Sequence, residues 1–273
     1  MMMDGASEIR RRHEASLAAT VGSFAQSVVY RSTRDHVCPI CGGAKKDGYA
    51  WCVSCSAHHH SPYKAQLADM VRIFAYAPME SSSDVSNQMT RYMYRYKEED
   101  RVGSELARAA VTEILVTELV LRWGCIKEVS GGVAPTAWAT IPSTTNSPRA
   151  GVEHPLHRIV CQVLPRVPEV KLRAVGAKSR SLSPDLFQME CECAPDTLRH
   201  VLLIDDTWTT GGNVQSAAVS LKRAGAQRVT VFCVARVVNY AFCASVGEGV
   251  ADGFRALSFR GGQWCPWHCM VEP

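Results

Sequence analysis

No stretch of this chain approaches the eighteen uninterrupted apolar residues a membrane-spanning helix requires, so no span is expected. No glycine-rich loop ends in Gly-Lys-Ser/Thr, and no G-x-G-x-x-G occurs, which argues against Walker-type and dinucleotide sites. Charge of one sign is also lacking. Thirty Lys and Arg stand against 26 Asp and Glu, a net charge of +4 that falls short of a nucleic-acid-grade excess. There is no internal repeat, and no low-complexity tract beyond Ser81 to Ser83. A signal peptide is only imitated: Arg10-Arg11-Arg12 precedes Leu17 to Val29, but Glu14, Ser23, Gln26 and Ser27 dilute any apolar region. A helical N-terminal extension over residues 1–36 and a cytoplasmic location are expected instead.

Cysteine, by contrast, is abundant: the chain carries twelve in 273 residues. Cys38-Pro-Ile-Cys41 and Cys52-Val-Ser-Cys55 form two C-x2-C knuckles separated by ten residues, shorter than the commonest spacing. Each knuckle turns both thiolates toward one point, and two of them supply a tetrahedral four-thiolate site for Zn²⁺. Gly42, Gly43 and Gly48 suit the tight turns, and the module is expected over 37–60. The His58-His59-His60 run just beyond reads as a solvated tail. Cys125, Cys161, Cys233 and Cys243 lie in apolar contexts and read as core. Cys191-Glu-Cys193 and Cys265-Pro-Trp-His268-Cys269 have metal-like spacings, but the sequence does not place these loops relative to one another.

The most informative run is Ile204-Asp205-Asp206-Thr207-Trp208-Thr209-Thr210-Gly211-Gly212-Asn213-Val214. A β-favouring segment from Val201 leads into two adjacent carboxylates. A loop of hydroxyls and glycines follows, and then Val214, Ala217, Ala218 and Leu221 recur at helical spacing up to Gly225. This order sets an anion cradle at a helix N-terminus, beside carboxylates suited to sugar hydroxyls or a cation. Gly211 and Gly212 let backbone approach the anion, while Thr209, Thr210 and Asn213 add side-chain donors. A phosphorylated sugar fits such a site; an acidic strand-to-helix turn capped by Thr is the alternative.

Elsewhere, Met70 to Ala77 reads as a strand, and Tyr92-Met-Tyr-Arg-Tyr-Lys97 as an aromatic packing stripe or a ligand contact. Ser104 is placed as the N-cap of a helix ending at Gly124. These form a linking region over 61–130, before a main domain over 131–273. There Ala137 to Ile141 is a strand, followed by Pro142-Ser143-Thr144-Thr145-Asn146, and Arg228 to Ala235 is a buried parallel strand. Alternating strands and helices argue an α/β class with ligand loops at the strands' C-terminal edge. Basic residues over 165–196, including Lys178 and Arg180, suit a hood that closes over an anion, or a solvated loop.

The run at 201–213 resembles the phosphoribosyl-pyrophosphate (PRPP) signature of type I phosphoribosyltransferases: hydrophobic strand, Asp-Asp, two residues, Thr-Thr-Gly-x-Thr. With the four-cysteine array and the Tyr-Lys segment, the chain over about 37–240 resembles the competence protein F (ComF-like) group. That resemblance implies a type I phosphoribosyltransferase fold (parallel sheet flanked by helices, with a hood) plus a small N-terminal zinc-finger module. It implies that Asp205 and Asp206 form the catalytic pair on the ribose hydroxyls, with Mg²⁺ beside them. Thr209, Thr210, Gly211, Gly212 and Asn213 would hold the 5′-phosphate, with Thr207 also among the PRPP-binding residues; Asn213 stands where Thr or Ser is usual. Pro142, Ser143 and Thr144 would face pyrophosphate, with Lys178 and Arg180 from the hood. The Arg-Gly-Phe-Asn-Gln stretch of the group is not recognisable near Arg149 to Arg158, so no acceptor is indicated. No Cys precedes Cys38, so glutamine hydrolysis is not expected. The competing expectations are a PRPP-sensing or single-stranded-DNA-handling module with a DNA or helicase partner, and a scaffold with a vestigial site.

Overall fold

Four segments rich in β-branched, aromatic and small apolar residues build the central sheet. They are β2 (Met70–Met79), β3 (Ala137–Thr140), β6 (Val201–Trp208) and β7 (Val229–Asn239). In this computed structural model, residues 2–30, 36–80, 87–98, 101–144, 147, 150–177, 180–260 and 264–268 are described. The sheet runs β1-β2-β7-β6-β3, where β1 is the short edge segment Gln26–Ser27. The β2–β7, β7–β6 and β6–β3 pairs are parallel, and β1 joins β2 antiparallel. Strands covered on both faces need near-continuous apolar sequence, which is what β6 and β7 supply. A separate antiparallel pair, β4 (Leu172–Ala174) and β5 (Phe187–Met189), lies within residues 165–196, where a hood or a solvated loop is expected.

Helices cover both faces, giving a mixed α/β architecture with a mostly parallel central sheet. On one face lie α1 (Met2–Val21), α3 (Gln88–Arg95), α4 (Ser104–Leu115), α5 (Trp123–Val129) and α6 (Pro155–Val163), around Phe74, Leu202, Phe232 and Val234. On the other, α7 (Gly212–Arg223) connects β6 to β7, and α8 (Tyr240–Val246) and α9 (Val250–Arg255) follow. The cysteine module, with its helix α2 (Val53–His59), shares that second core with Tyr76, Trp208 and Phe254.

Several local expectations change. The N-terminal helix forms, but it docks: Leu17 and Val21 are buried against the main domain, and Arg10 donates to the Leu121 carbonyl at 2.9 Å. Ser104 is the first helical residue rather than the cap; Gly103, at φ 86°, holds that position. The helix does not stop at Gly124. It widens into a π-helical turn over Val116–Leu121 and resumes as α5 with Gly124 inside it. The histidine run is not a solvated tail, because His58 is buried and His59 stacks on Trp51 at 4.6 Å between ring centroids.

Candidate functional site

The parallel strands bring their C-terminal ends to one edge, where ligand loops of open α/β sheets gather. Register fixes what meets there. Thr140 pairs with Ile204, Asp205 with Cys233, and Trp208 with Arg236. Strand β6 therefore runs through both carboxylates to Trp208 instead of ending before them. Asp205 lies half-buried in the pleat and Asp206 is buried.

A cleft of about 630 Å³ opens at this edge. Asp205, Asp206, Thr207, Thr209 and Asn213 line one wall, and Pro142, Ser143 and Thr144 from the loop after β3 line another. Eight of the expected site residues thus face one space. Thr210, Gly211 and Gly212 shape the loop from behind. Gly211 takes φ 81°, and a Cβ there would stand 2.2 Å from the Trp208 ring; a Cβ on Gly212 would stand 2.6 Å from the Arg180 carbonyl. The Thr210 hydroxyl donates to that same carbonyl at 2.6 Å. Arg180 therefore meets the loop through its backbone, and its exposed side chain is not part of the cleft lining. Lys178, Arg149, Thr145 and Asn146 lie outside the described residues.

The Tyr92–Lys97 stripe does more than pack. Tyr96 is fully buried, and its hydroxyl donates to Asp206 Oδ2 at 2.6 Å; Lys97 Nζ stands 2.5 Å from the same oxygen. His154 Nδ1 accepts the Leu156 N–H as the cap of α6, which turns Nε2 toward Asp206 at 3.9 Å. Burial alone would raise the Asp206 pKa. Lys97 and His154, with hydrogen bonds from Lys97 and Tyr96, instead hold it well below the usual carboxylate range. Asp206 is thus an ionised, fixed acceptor. Sequence reasoning missed Lys97 and His154 here. The Tyr-Lys segment was the available signal for Lys97, and nothing marked His154 out.

The four cysteines form a second centre. The Sγ atoms of Cys38, Cys41, Cys52 and Cys55 all lie within 4.8 Å of one another, and all four residues are buried. Two sulfurs bound to one Zn²⁺ at tetrahedral angles stand about 3.8 Å apart; Cys41 and Cys52 are 3.7 Å apart. The soft, buried donor set fits zinc. Hydrogen bonds from the other three thiols pull the Cys38 pKa far down.

Arg236 joins the two centres. The Cys41 and Cys52 sulfurs raise its pKa against the lowering effect of burial. Its Nη1 donates to the carbonyls of Trp208 (3.2 Å) and Thr209 (2.8 Å), at the entry of the glycine loop. Gly43 gives the guanidinium room, since a Cβ there would lie 2.3 Å from Nη2.

No protein-family model matches the chain, and no solved structure matches it. The adenine phosphoribosyltransferase of Borreliella afzelii (strain PKo) is 29% identical over 101 residues, which cover 34% of this chain and 54% of that protein. The chain therefore spans about half the length of the curated relative it matches. This distant similarity points to the type I phosphoribosyltransferases, in agreement with the parallel sheet, while the buried four-cysteine cluster fits a zinc finger. Among the described residues, no helix is long and apolar enough to cross a membrane.

Proposed function

We propose that the cleft binds PRPP and that the protein transfers its 5-phosphoribosyl group to an acceptor still to be identified, releasing pyrophosphate. The observation that carries this reading is the shared cleft: two carboxylates with Thr209 and Asn213 of the following loop and helix start on one wall, hydroxyls of the β3 loop on another. Its volume lies within the range of small-molecule sites, roughly 300–1,000 Å³. In this reading Thr207, Thr209, Asn213 and the backbone N–H groups at the start of α7 hold the 5′-phosphate. Asn213 Oδ1 is buried and has no hydrogen-bond partner in the protein; an amide oxygen only accepts, so it is Nδ2–H that would donate to a phosphate. Ser143 and Thr144 face the pyrophosphate.

The two carboxylates divide the work. Asp206, already paired with Lys97, suits a ribose hydroxyl that needs an oriented acceptor. Asp205 would serve the second hydroxyl or the Mg²⁺ that accompanies PRPP. Mg²⁺, when bound, neutralises charge on the departing pyrophosphate. The protein's own part is positioning and fixed charge. The buried four-cysteine module ahead of the motif, and a Tyr-Lys segment that reaches Asp206, support placement in the ComF-like group.

The deciding assay follows pyrophosphate release from Mg-PRPP across a panel of nucleobases and amines. Turnover with one acceptor, abolished in Asp205→Asn, is expected. PRPP binding without turnover on any acceptor would favour a sensing role. Salt-sensitive binding of single-stranded DNA in place of PRPP would favour the DNA-handling alternative.

A further inference from the structure

We propose a second zinc site, separate from the four-cysteine module, formed by Cys125, Cys265 and His268. Cys125 lies 140 and 143 positions before Cys265 and His268, yet one ligand atom from each comes within 4.8 Å of the others. Two thiols and an imidazole are a borderline-soft donor set that favours Zn²⁺ over the harder divalent ions.

The site is anchored from both sides. Cys125 sits in the first turn of α5, directly after the π-helical turn. Between Cys265 and His268 lies Trp267, which is fully buried and stacks on Phe232 at 5.4 Å between ring centroids. Its indole N–H donates to the Glu118 carbonyl at 3.0 Å, and its own carbonyl accepts from Arg72 Nε at 3.2 Å. The two C-terminal ligands are therefore fixed before any metal arrives, so little ordering entropy opposes binding.

His268 Nε2 stands 3.1 Å from Glu128 Oε2. Zinc on Nδ1 leaves Nε2–H to donate to this carboxylate, the outer-shell partner that metal-bound histidines ordinarily have. The His268 side chain is 31% exposed, so water completes the fourth position. The site would tie the C-terminal segment to α5, on the opposite face of the sheet from the four-cysteine module.

The test is metal analysis of the full-length protein, purified without chelator, alongside Cys265→Ser, Cys125→Ser and His268→Ala. His268→Ala alters a partly exposed side chain and decides the matter should either cysteine variant fail to fold by circular dichroism. The wild type should hold about two zinc ions per chain and each folded variant about one, with the remaining ion lost when Cys52→Ser is added to it. Co²⁺ in place of Zn²⁺ should give two spectroscopically distinct populations, one of them missing in His268→Ala. Unchanged zinc content in folded His268→Ala would overturn the proposal. So would an intact mass showing a Cys125–Cys265 disulfide in place of metal.

Discussion

Replacing Lys97 by Met should destabilise the protein in a pH-dependent way that no other cleft substitution reproduces. The Asp206 side chain is only 9% exposed and Lys97 28%, with 2.5 Å between Nζ and Oδ2. Removing one partner of a buried ion pair costs about 3–5 kcal/mol; partial exposure of Lys97 brings the expectation to about 2–4 kcal/mol. That is a roughly 30- to 900-fold change in the folding equilibrium at pH 7. With a urea slope near 3 kcal/mol/M it amounts to a midpoint shift of about 1 M. The sign with pH follows from the depressed Asp206 pKa. In the wild type its stabilisation is present above the unfolded carboxyl value, about 3.9, and is lost as pH falls through the lower folded value. In Lys97→Met, burial is opposed by Tyr96 and His154 without the ammonium, so the carboxyl pKa rises. The variant's deficit should therefore shrink as pH is lowered and the carboxyl takes up a proton. Urea unfolding from pH 7 down to pH 3, on wild type, Lys97→Met, Asp206→Asn and the double variant, measures this. The double variant should be less destabilised than the sum of the singles. Additive costs, or a deficit independent of pH, would refute the assignment of Lys97 to Asp206.

Three further outcomes follow from the same geometry. Gly211→Ala forces a left-handed φ on a residue with a Cβ and drives that carbon into the buried Trp208 ring. It should cost about 2–5 kcal/mol by thermal or chemical unfolding and abolish PRPP binding. Cys52→Ser should lower the zinc content by one ion per chain through loss of the four-cysteine module's metal, read by metal analysis; a zinc content equal to wild type would reject that assignment. Arg236→Met removes charged donors from the Trp208 and Thr209 carbonyls and should weaken PRPP binding about tenfold or more by calorimetry. Affinity equal to wild type would show that the glycine loop needs no such brace.

The parts of the site that were legible in the sequence are those made within one segment. Strand, carboxylates, glycine loop and helix follow one another from Val201 to Arg223, and local chemistry alone fixes their order. The two C-x2-C knuckles are similarly self-announcing. What escaped is what the fold assembles from afar. Tyr96 and Lys97 reach Asp206 across 110 and 109 positions, and in the sequence the aromatic stripe reads more readily as packing than as a ligand contact. His154 is a lone histidine until its Nδ1 caps α6 and aims the ring. Cys125, expected in the core, is half-buried and meets the C-terminal cysteine and histidine. Gly124 misled for a different reason. Glycine usually ends a helix, but here packing around Leu119 and Ile126 carries the chain through it.

Calorimetric titration of Mg-PRPP into the wild type and into Asp205→Asn/Asp206→Asn tests the central claim most directly. Micromolar binding to the wild type, lost in the folded double variant, is the predicted result. A folded, zinc-loaded wild type that takes up no PRPP would contradict it.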